Sequence, residues 1–174
     1  MTESIVRVLR GLLTVLVVCT YMVAVFTLVW LTESGRLGDG LYGSLVMIIM
    51  AFPLSLVGSS LYGPLKNVII GQKHTDPTYG WNYNYDWEYL LKGWPGVVTA
   101  LLLAILLTRR RTRPVGRVMS WALTAAVTLT GVVITFDGWA PRQPYGWPFL
   151  VYGLVMAIGV IALHRSAPKG DVHR

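Results

Sequence analysis

Six aromatic side chains take alternate positions in one short stretch: Tyr79, Trp81, Tyr83, Tyr85, Trp87 and Tyr89. Gly80, Asn82, Asn84, Asp86 and Glu88 fill the places between them. A period of two sets the rings on one face of an extended chain and the polar groups on the other, and Tyr and Trp favour such a conformation. Rings beside amides and carboxylates can stack on a sugar, hold a lipid headgroup or cage a quaternary ammonium. Trp81, Tyr83, Tyr85 and Trp87 are therefore the candidate ligand-binding residues. The same rings also suit the belt that Trp and Tyr form where hydrocarbon meets headgroups, together with Trp94, Trp139, Tyr145 and Trp147.

Other chemistry is sparse. His74, Asp76, Asp86 and Glu88 form the one cluster with metal-ligating groups, but a single histidine among scattered carboxylates lacks the spacing of a zinc site. No nucleophile–base pair stands out, so no catalytic residue and no cofactor is assigned. Cys19 is the only cysteine, which excludes an intramolecular disulfide. The densest charge is a cationic loop, Arg109, Arg110, Arg111, Arg113 and Arg117. Such a cluster marks the cytoplasmic side of a membrane protein and attracts anionic headgroups. Nucleic-acid binding is not implied, because the basic balance comes largely from these arginines.

The elements that must position these residues follow from the composition. Of 174 residues, 54% are hydrophobic and 13% charged, and mean hydropathy is +0.56. Soluble domains carry about 25% charged residues, so the chain reads as an integral membrane protein. Charge is missing from five windows: 11–32, 40–65, 93–108, 118–136 and 143–163. A bilayer core of about 30 Å needs about 20 apolar helical residues, and helices satisfy their own backbone there. The expected fold is an all-α membrane helical bundle in a single domain, residues 1–174. Its apolar segments are about 11–32, 41–63, 89–108, 118–136 and 146–163, and an extracytoplasmic aromatic loop covers 64–92. The first window is too long for a signal-peptide core and has no Ala-x-Ala site, so it reads as a retained anchor.

Orientation follows from the arginine loop. With it inside, the C-terminal tail is cytoplasmic and 64–92 lies outside. Two arrangements of the second window stay open. If all five windows cross, the N-terminus is outside, with nine Lys and Arg inside and six outside. If 41–63 is re-entrant, the N-terminus is inside and the count becomes ten and five. Pro53, flanked by Gly43, Gly58, Gly63 and Pro64, suits a broken helix whose freed backbone groups Ser55, Ser59, Ser60 and Tyr62 can satisfy. It also suits an ordinary kinked span.

Small and hydroxyl residues recur at helical spacing: Ser120, Thr124, Thr128, Gly131 and Thr135 in the fourth window, Gly153 and Ala157 in the fifth. They fit a helix–helix seam or a hydrophilic conduit. Asp137 and Arg142 can pair across their short loop. The run Gly40-Leu41-Tyr42-Gly43-Ser44, followed by Pro53-Leu54-Ser55-Leu56, resembles a family of small uncharacterised actinobacterial multi-span membrane proteins. The resemblance covers the first two windows, and implies the membrane class without an activity, cofactor or site. The expected role is an accessory or interaction subunit of a complex in the plasma or inner membrane, with other membrane subunits or a second copy as partner. The alternatives are an extracytoplasmic ligand sensor or small-solute transporter using the aromatic loop, and a lipid-modifying enzyme.

Overall fold

A computed structural model describes residues 2–38, 40–52, 54, 55, 57, 58, 60, 61, 64 and 85–166. For 2, 3, 40, 41, 85–92 and 110 it describes the backbone alone. Every regular element among these residues is helical. Helix α1 spans Thr2–Glu33, α2 Gly40–Met50, α3 Tyr85–Thr108, α4 Arg113–Thr135 and α5 Trp147–Arg165. Short 3-10 turns, Arg110–Thr112 and Gln143–Tyr145, join the last three. Three stretches are long and apolar enough to cross a membrane: Ser4–Glu33, Arg113–Thr135 and Gln143–Arg165. The apolar part of α3, Gly93–Thr108, is shorter.

Local chemistry sets the helix ends. At the end of α1 the Gly35 amide donates to the Thr32 carbonyl and the Arg36 amide to that of Leu31. This Schellman closure needs a left-handed residue, and Gly35 supplies it with φ +68°. Helices α4 and α5 each carry a proline in the first turn, Pro114 and Pro148, where its missing N–H is no loss. The start of α3 differs from the sequence expectation. Tyr85 and Trp87 belong to the helix, so the extended segment does not reach Tyr89. Asp86 and Glu88 fall within the first turn, where the helix dipole favours acids. The helical backbone also carries its own hydrogen bonds into the apolar run that follows. Trp81 and Tyr83 lie outside the described residues.

Helix α1 is the centre of the bundle. Helices α3 and α5 pack along it, α4 packs on α5 and α3, and α2 rests on α1 and α4. Val17, Tyr21, Ala24 and Leu28 form the inward stripe of α1 and are fully buried, spaced by three or four residues as one helical face requires. The outward faces are apolar too: Leu12, Val23, Trp30, Leu101, Val118, Leu129 and Leu154 are all exposed.

The packing fixes which ends lie together. The Arg10 side chain donates to the Ser166 carbonyl, tying the start of α1 to the end of α5. At the other end Thr27 of α1 lies 3.5 Å from the Tyr152 hydroxyl of α5. Gly116, early in α4, packs on the Leu106 backbone late in α3. The first residues of α1, the arginine loop and the last residues of α5 therefore share one end, the basic end.

A few contacts trace the described residues of the second apolar window along the bundle. It starts at the opposite end, where Gly43 packs on Thr32. By Met50 it has reached mid-depth, where the Tyr21 hydroxyl donates to the Met50 carbonyl at 3.1 Å. Ala51 and Phe52 form a turn. Gly58 then packs on Pro95, close to Gly96, which meets Val25 of α1. The chain has turned back toward the end from which it came. At 1.5 Å per residue, α2 covers only about half of a 30 Å hydrocarbon core.

Candidate functional site

Two features of the bundle carry unusual chemistry, one at each end of α2. The first is its tip. Helix α2 ends at Met50, and the carbonyls of a last helical turn need donors from outside the ladder. The Ser55 hydroxyl donates to the Ile48 carbonyl at 2.8 Å, and Tyr21 serves Met50. The Ser55 amide closes on the Ala51 carbonyl at 3.0 Å. Polar backbone at this depth costs several kcal/mol if left open, so side chains must cap it.

The second feature is a caged arginine beside the first turn of α2. Arg142 donates to Asp137 Oδ2 at 2.8 Å, the pairing the sequence suggested. The guanidinium also lies 4.1 Å from the Tyr42 ring centre and 4.5 Å from that of Trp139. Gly38, at φ +89°, backs onto it, and a Cβ there would meet an Arg142 nitrogen at 2.8 Å. Gln143 Nε2 donates to the Asp137 carbonyl at 3.1 Å. One cation thus clamps the turn after α1, the first turn of α2 and the α4–α5 connection. Beside it Arg36 lies 4.5 Å from the Trp30 ring centre and 5.7 Å from that of Tyr145. Cation–π contacts of this kind contribute about 0.5–1 kcal/mol when exposed and about 2 kcal/mol when desolvated.

Arg142→Ala should therefore destabilise the purified protein by about 2 kcal/mol, read as a lower thermal midpoint in detergent. Asp137→Asn keeps both ring contacts and should cost less. Arg142→Lys should behave like the alanine variant, because an ammonium lacks the planar fork that stacks and pairs together. Full stability in the lysine variant would refute the clamp.

The hydroxyl stripe of α4 is a seam. Ser120, Thr124 and Thr128 each donate to the carbonyl four residues back in their own helix, at 2.7 to 2.8 Å. The adjoining glycines allow close approach: Gly131 faces the Leu150 backbone, Gly153 faces Thr128 and Gly146 faces Thr135. On the side of the bundle an open apolar groove of about 760 Å³ runs between Ile49 at the end of α2 and Trp121, Ala125 and Leu129 of α4. Alanines 122, 126 and 157 complete much of its wall, a composition that lets helices approach closely in lipid.

The sequence-derived candidates divide in two. Trp81 and Tyr83 lie outside the described residues, and Tyr85 and Trp87 are placed by backbone alone in the first turn of α3. The five loop arginines lie at the basic end, where Arg109 and Arg111 are exposed, Arg113 and Arg117 are half-buried, and Arg110 is placed by its backbone. Sequence reading missed the roles of Tyr42, Arg36 and Trp30. The available signal was that Arg36 and Arg142 are single cations in short glycine-bearing turns next to aromatics. No protein family, curated protein or solved structure matches the chain.

Proposed function

We propose that the protein is a polytopic protein of the cell membrane that serves as an accessory or interaction subunit of a larger membrane complex. In this reading α1, α3, α4 and α5 cross the bilayer, and the second window is a re-entrant hairpin. The basic end faces the cytoplasm, so both termini are cytoplasmic. Ten of the 15 Lys and Arg residues then lie inside, the better of the two distributions under the positive-inside rule.

The observation that carries the interaction role is the filled interior. Tyr21, Leu28, Leu103, Val127, Phe149 and Met156, drawn from all four long helices, retain no exposed surface. Ser120, Thr124 and Thr128 of the seam bond within their own helix, which supports a bundle that offers its chemistry on its sides. We assign a helix of another subunit to the alanine-walled groove beside α4, because small residues let helices approach closely in lipid.

Purification from the native membrane in mild detergent should yield a stable complex. Ala125→Trp, which fills the groove, should release the partner without lowering the thermal midpoint of the isolated chain. A monodisperse monomer from native membranes overturns the proposal, and a complex indifferent to Ala125→Trp overturns the groove as its seat.

A further inference from the structure

The fold gathers charge that the sequence keeps apart. The start of α1, the α3–α4 turn and the end of α5 meet at one end of the bundle, tied there by the bond from Arg10 to the Ser166 carbonyl. Segments 1–10, 109–117 and 164–166 together carry eight arginines and one acid, Glu3. At the opposite end, the last residue of α1 and the turns 34–38 and 136–146 set Glu33 and Asp137 against Arg36 and Arg142. Arg7, Arg109, Arg111 and Arg165 are exposed. They lie where long apolar helices stop, the depth of phospholipid headgroups if the chain is embedded as proposed. A guanidinium presents a planar fork that matches a phosphate through two parallel hydrogen bonds.

We propose that this end is a binding collar for anionic phospholipid, built jointly by the N-terminus of α1, the arginine loop and the C-terminus of α5. The proposal rests on the membrane reading above and adds a ligand class to it. A topology signal acts segment by segment and does not require Arg7 and Arg165 to meet the loop. A collar does, because headgroups ringing the bundle contact every segment that reaches its rim. Juxtamembrane cations each add to the attraction for an anionic leaflet, and salt screens the effect.

The test is reconstitution of the full chain in nanodiscs of phosphatidylcholine, alone or mixed with phosphatidylglycerol. Phosphatidylglycerol should raise the thermal midpoint, and native mass spectrometry should find that lipid retained. Arg7→Gln/Arg165→Gln and Arg109→Gln/Arg111→Gln should each weaken retention by about tenfold or more and reduce the rise in midpoint. High salt should reduce both effects in the unaltered chain. An equal midpoint in the two lipids overturns the collar. So does a loss confined to the loop pair, which would leave only a topology signal. Reproduction of the rise by inorganic phosphate would also overturn it, since a membrane-held headgroup is then unnecessary. A chain that does not enter the discs overturns the membrane reading and the collar with it, whereas entry without lipid preference overturns the collar alone.

Discussion

Alanine in place of Gly131 should lower the unfolding midpoint of the purified protein, while the same substitution at Gly11 should raise it. Both glycines lie inside helices, where glycine costs about 0.5–1 kcal/mol relative to alanine. At Gly11 nothing lies within 4 Å of the new Cβ, so that gain stands alone. At Gly131 the new carbon would lie 2.8 Å from the Leu150 backbone nitrogen and 2.9 Å from its side chain. A backbone atom cannot rotate away, so α4 and α5 must part along their seam. Overpacking costs about 1–3 kcal/mol, which exceeds the propensity gain, and Gly131→Val should cost more still. Chemical or thermal unfolding in detergent reads both variants. A neutral Gly131→Val would show that the seam is looser than its geometry.

The second large effect concerns the proposed re-entrant hairpin. A reporter that is active only outside the cytoplasm should be silent when fused to either terminus and active when inserted after Gly138. Five crossings would put the termini on opposite sides, so a signal from one terminus and not the other overturns the arrangement. The two hydroxyls that cap the tip can be removed without changing its shape. Tyr21→Phe and Ser55→Ala take away the donors for Met50 and Ile48, and each should destabilise the bundle by about 1 kcal/mol. The combined variant should expose the tip: a cysteine introduced at Phe52 should react with a water-soluble maleimide faster than in the parent. Unchanged stability in both single variants would mean that the freed carbonyls find other donors.

Much of the architecture was legible without coordinates. Charges cannot enter hydrocarbon cheaply, so their absence from 11–32, 93–108, 118–136 and 143–163 marks where α1, α3, α4 and α5 lie. The Asp137–Arg142 pair was also readable, because five residues of turn bring the two together. The aromatic ladder misled at its C-terminal side. Alternation argues for an extended chain only until the following run recruits it, and from Tyr85 onward the helix wins.

Residue order alone could not decide the path of the second window. A stretch of 26 uncharged residues is long enough to cross and, with Pro53, equally able to turn. The contacts that set the path of its described residues are remote in sequence: Tyr21 with Met50, and Gly58 with Pro95. Likewise a stripe of hydroxyls at helical spacing looks the same whether it lines a conduit or a seam, until the partner helix and the direction of each hydrogen bond are known. The arginines show the division most plainly. Their number and positions are properties of the sequence, set by what lipid will not accept. That Arg7, Arg10 and Arg165 stand beside the loop of five is a property of the fold, because only antiparallel packing of α1 against α5 brings the start of the one and the end of the other to one face.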